Sequence, residues 1–122
     1  MNIEAYRDYC LSKKATNESF PFDKFDKQVL VFKVLNKMFA VTRLNSEEFI
    51  AYLKCDPERA IQLREKHPES ITDEGRMGGK HWNAVYFERG LEEAFLKELI
   101  DHSYDLVVKN LKKSDRELLA KM

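Results

Sequence analysis

Glycine and proline are scarce, with four and three residues in a chain of 122. So few breakers exclude collagen-like and low-complexity architectures and leave most of the chain free for regular structure. Cysteine is limited to Cys10 and Cys55, too few to staple a small disulfide scaffold, which makes the reducing cytoplasm the expected compartment. Both cysteines fall in segments that read as regular structure and are expected as buried small hydrophobes, with a bridge between them left open. Charge of one sign is also missing: 21 Lys and Arg balance 21 Asp and Glu, and the pI is near 6.8. Without a net field the chain has no long-range pull on polyanions, so a bulk electrostatic DNA binder is disfavoured. Long apolar runs are absent. Runs such as Val29 to Phe32 fall far short of the roughly 18 residues needed to span a bilayer, and no membrane role is expected. Met1 to Leu11 mixes Glu4, Arg7 and Asp8, which does not read as a signal peptide.

What the chain does have is a core. Apolar residues make up 43%, with one Trp, five Tyr and eight Phe, enough for one self-sufficient domain over residues 1–122. Asn2 can cap a first helix carrying Ile3, Tyr6 and Cys10 on one face and running to about Lys13. Phe20-Pro21-Phe22 suggests an edge strand, because proline lacks a backbone donor. Val29 to Leu35 and Met38 to Leu44, joined by Asn36-Lys37, read as a hairpin. Phe49, Ala51, Leu53 and Cys55 alternate with mostly more polar neighbours, giving a fourth strand with one buried face. Asp56-Pro57-Glu58 starts a second helix, ended near His67 by Pro68. Ile71 and Val85 to Phe87 read as two short strands, separated by a glycine-rich, mobile loop at Gly75 to Gly79. Glu92 to Leu111 carries a wide apolar stripe on a long helix, and Ser114 with Glu117 suggests a capping box on a last short one. The expectation is an α+β domain: helix, four-strand antiparallel meander, helix, two strands, then the terminal helices.

Chemistry-bearing clusters are thin. His67, His81 and His102 lie too far apart in sequence to share a helix face, no paired cysteine ligands exist, and no metal or cofactor is expected. Cys10 and Cys55 on buried faces make poor nucleophiles, so no catalytic residue is assigned. The glycine loop is followed by Lys80-His81-Trp82, without the Lys-Ser or Lys-Thr pair of a phosphate loop. Two groups remain. Arg76, Lys80, His81, Trp82 and Asn83 gather recognition-type side chains beside a loop and are candidates for a ligand or partner surface, although a single Trp at a strand start more often packs inward. Lys109, Lys112, Lys113, Arg116 and Lys121 form a C-terminal basic patch that suits phosphate contact, although cations near a helix end also answer its dipole.

The strings Phe20-Pro21-Phe22-Asp23, Val31-Phe32-Lys33-Val34, Lys37-Met38-Phe39-Ala40, Leu53-Lys54-Cys55-Asp56-Pro57-Glu58-Arg59-Ala60, Lys80-His81-Trp82-Asn83 and Leu99-Ile100-Asp101-His102-Ser103-Tyr104-Asp105 together resemble the MmcQ/YjbR family. The resemblance spans nearly the whole chain. It implies a CyaY-like fold, similar to frataxin, with an antiparallel sheet and helices from both chain ends. It also implies DNA binding through a double-wing shape, with no established reaction and no defined ligand residue. Ser12-Lys13-Lys14-Ala15 and Asn36-Lys37 depart from the family's glycine-containing turns. The acidic ridge that frataxins present to iron is not matched, since Glu4 and Asp8 flank Arg7 here. The leading expectation is a non-enzymatic protein that binds DNA weakly and in a salt-dependent way, using the C-terminal patch. The alternative is a module for a small ligand or a protein partner, centred on Lys80 to Asn83.

Overall fold

The structure, a computed structural model, describes residues 1–22, 24, 28–78 and 80–122. Along the chain run α1 (Ile3–Leu11), β1 (Thr16–Ser19), β2 (Val29–Val34), β3 (Lys37–Arg43), β4 (Ile50–Lys54), α2 (Pro57–Lys66), β5 (Ile71–Thr72), β6 (Trp82–Tyr86), α3 (Glu93–Lys109) and α4 (Lys113–Ala120). The strands form one antiparallel sheet in the order β1-β2-β3-β4-β6-β5, so the expected meander is followed by a strand exchange that places β6 inside β5. The fold is α+β.

Local chemistry accounts for most boundaries. Asn2 Oδ1 accepts from Ala5 N at 2.8 Å, and Asp56 Oδ2 accepts from Arg59 N at 3.3 Å with Pro57 opening α2. Each cap satisfies a first-turn amide that has no partner inside its helix. Four expectations need correction. The first strand is Thr16–Ser19, ahead of Phe20 and Phe22, which lie beyond it and are exposed. The hairpin turns on Leu35-Asn36, with φ of 44° and 71°, and Lys37 already belongs to β3. Two successive positive φ values match the strand twist, a geometry asparagine tolerates and leucine adopts only under constraint. β6 begins at Trp82 rather than near Val85. Finally, Ser114 does not cap α4, whose N-cap is Lys112 with no side-chain bond. Gly75 and Gly78 take φ of 70° and 81° in the loop before β6, whereas Gly79 lies outside the described residues.

Helices cover one face of the sheet. Tyr6 and Cys10 of α1 and Leu96, Leu99, Ile100, Tyr104 and Val107 of α3 pack on Phe32, Phe39, Ala51, Leu53 and Val85. The Tyr6 ring meets Phe32, Phe49 and Phe87 edge-on at 5.5, 5.2 and 5.3 Å, and its hydroxyl shares a 2.6 Å hydrogen bond with Thr42 Oγ1. A buried hydroxyl would otherwise be a liability. Ser103 of α3 donates to Phe39 O at 2.5 Å and accepts from Lys54 N at 2.9 Å, tying the helix to two strands at once. Lys13 and Tyr9 both bond Asp101 Oδ1, which fastens α1 to α3. Cys10 and Cys55 are buried and unbridged, and burial pushes their thiols up to about 12 and about 11. They stay protonated at neutral pH.

Candidate binding face

Because strand side chains alternate, each residue pointing at the helices leaves its neighbour on the opposite face. On β4, Ala51 and Leu53 enter the core, so Ile50, Tyr52 and Lys54 face away from it. The pairing carries this parity across the sheet: Tyr52 lies opposite Val41 and Ala84, Lys54 opposite Trp82, and Val29 opposite Arg43. No described helix packs on this second face. It holds a small cluster of its own, in which Met38, Tyr52, Met77 and Trp82 lie half-buried against Val29, Val31 and Val41. The charged strand residues on it are Lys33, Arg43 and Lys54, whereas Glu18 of β1, opposite Phe32, falls on the helix-covered side. A chain of zero net charge therefore presents a cationic, aromatic face.

One hollow lies on this surface and a second at its edge, against the end of α3. The first, about 460 Å³, has Val29, Val41 and Tyr52 as its floor, Phe22 and Met77 as walls, and Arg43 and Arg76 at its rim. Burial raises the Tyr52 phenol above its usual range, while the charges of Arg76 and Arg43 pull it down and Glu74 pushes it up. Glu74 is itself engaged, accepting from Thr72 Oγ1 at 3.1 Å and from the Tyr86 hydroxyl. The second, about 470 Å³, is lined by Lys54, Asp56, Pro57, His81, Leu106, Lys109 and Asn110 where β4 ends beside the end of α3. Lys54 lines the second and lies near the first. It stands two residues beyond Tyr52 on the same strand face, about 7 Å along the strand, and its ammonium lies 5.9 Å from the centre of the Trp82 ring.

The two sequence candidates are partly dismantled and partly merged by this geometry. Arg76 is exposed at the rim of the first hollow, and His81 and Lys109, drawn from different candidates, line the second. Lys80 is exposed and lines neither hollow. Trp82 sits in the small second cluster, outside the main core. Asn83 corrects the ligand-surface expectation: it is 2% exposed, its Oδ1 accepts from Arg64 Nη1 at 2.7 Å and its Nδ2 donates to Ala60 O at 3.4 Å. One residue after Trp82, the strand's alternation has turned its side chain under α2.

Lys112, Lys113, Arg116 and Lys121 are exposed around α4. Lys109 does answer the dipole of α3, but Lys112 and Lys113 stand at the start of α4, where a cation is disfavoured. The helix-end explanation therefore fails for those two. His102 is a structural acceptor, its Nε2 receiving Asp56 N at 3.2 Å. Burial lowers its pKa and Arg59 lowers it further, while Glu98, Asp56 and Asp105 oppose the shift. Tyr52, Lys54, Arg43, Phe22 and Met77 escaped the sequence reading. The available signal was Tyr52 and Lys54 at the positions between the buried residues of an alternating strand.

The chain thus falls in a class of small α+β proteins with one antiparallel sheet, in which the described helices pack on one face. The YjbR family model matches residues 11–106, and the chain belongs to the YjbR family. It is 28% identical to the uncharacterized protein YjbR of Escherichia coli K12 over 122 residues, the full length of both. It is 36% identical to the uncharacterized protein YbdF of Escherichia coli O157:H7 over 94 residues, covering 76% of this chain and 75% of that one. Among solved structures, protein DR2400 of Deinococcus radiodurans, a DUF419 domain, superposes with a TM-score of 0.87 at 36% identity, covering 98% of this chain and 88% of that one. A structural-genomics target from Pseudomonas syringae shares the fold, with a TM-score of 0.69 at 23% identity, covering 87% of this chain and 98% of that one. Among the described residues no helix is long and apolar enough to cross a membrane.

Proposed function

We propose that this protein binds single-stranded nucleic acid along the helix-free face of its sheet, with the C-terminal basic residue Lys109 at the far end of the track. The observation that carries the reading is Lys54, which lines the His81–Lys109 cleft, lies over the Trp82 ring and stands two residues from Tyr52 on the same strand face. Aromatic rings on a sheet offer stacking surfaces to unpaired bases, and cations between them meet the backbone phosphates. A duplex hides its base faces and would gain little from Tyr52 and Trp82. Zero net charge means that affinity comes from this local patch alone, so binding is weak and falls with salt.

Fluorescence anisotropy of a labelled oligo-dT tests the reading. If about three phosphates are neutralised, log affinity falls with log salt at a slope of about −2, from a Kd near ~10⁻⁴ to 10⁻⁶ M. Lys54→Glu abolishes binding, and Trp82→Ala weakens it by about 1 to 3 kcal/mol, the size of one base stack. Reversing Lys112 and Lys113 to Glu, beyond the track, has the smaller effect. No binding at low salt, or equal binding of duplex, removes the reading.

A further inference from the structure

We infer that the hollow over Val29, Val41 and Tyr52 is a site for a free small aromatic acid, a flat apolar body carrying one carboxylate. The inference rests on the helix-free face being the binding surface, but it does not require a polymer. A cavity of about 460 Å³ is within the size range of small-molecule sites. Its floor is closed, since Val29 and Val41 are only 9% and 5% exposed, while Phe22 on the wall is 43% exposed. The linings suit a ring: an aromatic wall, the Tyr52 ring and the Met77 thioether, whose sulfur packs well against aromatic edges.

The charge at the rim selects the sign of the ligand. Arg76, exposed at the edge of this hollow, makes no hydrogen bond or ion pair with any described residue, which leaves its donors for a ligand acceptor. A planar carboxylate satisfies a guanidinium in two parallel bonds, which a hydroxyl cannot do. Glu74, whose charge acts on Tyr52, is turned to Thr72 and Tyr86, and Asp73 accepts from Gly75 N. These acids are held within the loop rather than at Arg76. The hollow at the end of β4, of similar volume, is also cationic but has Asp56 in its lining and no aromatic ring other than the His81 imidazole. The larger hollow between the start of α1 and residues 43–49 is rimmed by Glu47, Glu48 and Glu88, which would repel an acid.

Isothermal titration of the full chain with 2-naphthoate, and with its neutral analogue 2-naphthylmethanol, tests the inference. The acid binds about tenfold or more tightly than the alcohol, the difference that a bidentate carboxylate–guanidinium pair supplies. Arg76→Gln, at an exposed position, removes that difference, whereas Lys66→Gln on α2 leaves it intact. Amide shifts induced by the acid centre on Val41, Tyr52 and Met77. Equal affinity for acid and alcohol, an unchanged preference in Arg76→Gln, or shifts centred elsewhere would overturn the inference. A parallel titration with oligo-dT separates it from the nucleic-acid reading. Oligonucleotide binding without naphthoate binding refutes the small-acid site alone, and the converse refutes the polymer reading alone.

Discussion

On the helix-covered side of the sheet Phe32, Phe39, Leu96 and Ile100 are fully excluded from solvent, while across the same strands Tyr52, Met77 and Trp82 stay half-buried beside Lys54 and Arg43. The backbone ladder is common to both faces, so the difference lies in what covers them. One face is covered by α1, α2 and α3, the first and last fastened through Ser103, Tyr9 and Lys13. The other has cations and aromatic rings over a cluster of three valines. Substitutions should therefore act on folding when made on the first face and on binding when made on the second.

The largest effect expected is on the covered face. Phe39→Ala should cost about 3 to 5 kcal/mol, enough to unfold much of the population, because it opens a cavity beneath α3. Trp82→Ala, a larger deletion on the free face, should cost well under half of that. Urea denaturation compares the two, and equal losses would break the contrast. Next comes Tyr6→Phe, which keeps the ring contacts but strands Thr42 Oγ1 and should cost about 1 to 3 kcal/mol. Asp56→Ala should cost about 1 kcal/mol by exposing the first turn of α2, read from the same denaturation midpoint.

The smallest effect is with pH. Because the His102 pKa is lowered in the fold, the unfolded chain takes up that proton first. The associated stability is complete above the ordinary histidine pKa of about 6.5 and is lost as pH falls through the lower folded value. His102→Gln, which can still accept from Asp56 N, should flatten that part of the pH profile. An unchanged slope would detach His102 from it.

The covered face was legible in the sequence because burial writes a period. Ala51, Leu53 and Cys55 at every second position, and the stripe from Leu96 to Val107, gave a strand and a helix whose types and inner faces the structure keeps. Caps were legible where a short polar side chain and a proline coincided, as at Asp56-Pro57, and misread at Ser114, where the helix begins one residue earlier. The placement of β6 between β4 and β5 had no local signal, because it depends on pairing between residues about 30 apart in sequence. The binding face was harder still. Arg43, Tyr52, Arg76 and Trp82 come from three strands and a loop, and only the sheet register brings them together. Asn83 shows the reverse failure, since adjacency in sequence to Trp82 suggested a shared surface that alternation forbids.

Whether the helix-free face is the binding surface is tested most directly by mapping amide shifts of the isotope-labelled protein titrated with oligo-dT at low salt. The account predicts shifts concentrated at Val41, Tyr52, Lys54, Arg76 and the Trp82 indole, reaching Lys109 and leaving α1 and α2 undisturbed. Shifts confined to Lys113, Arg116 and Lys121 of the last helix and its cap, or to the surfaces of α1 and α2, would contradict it.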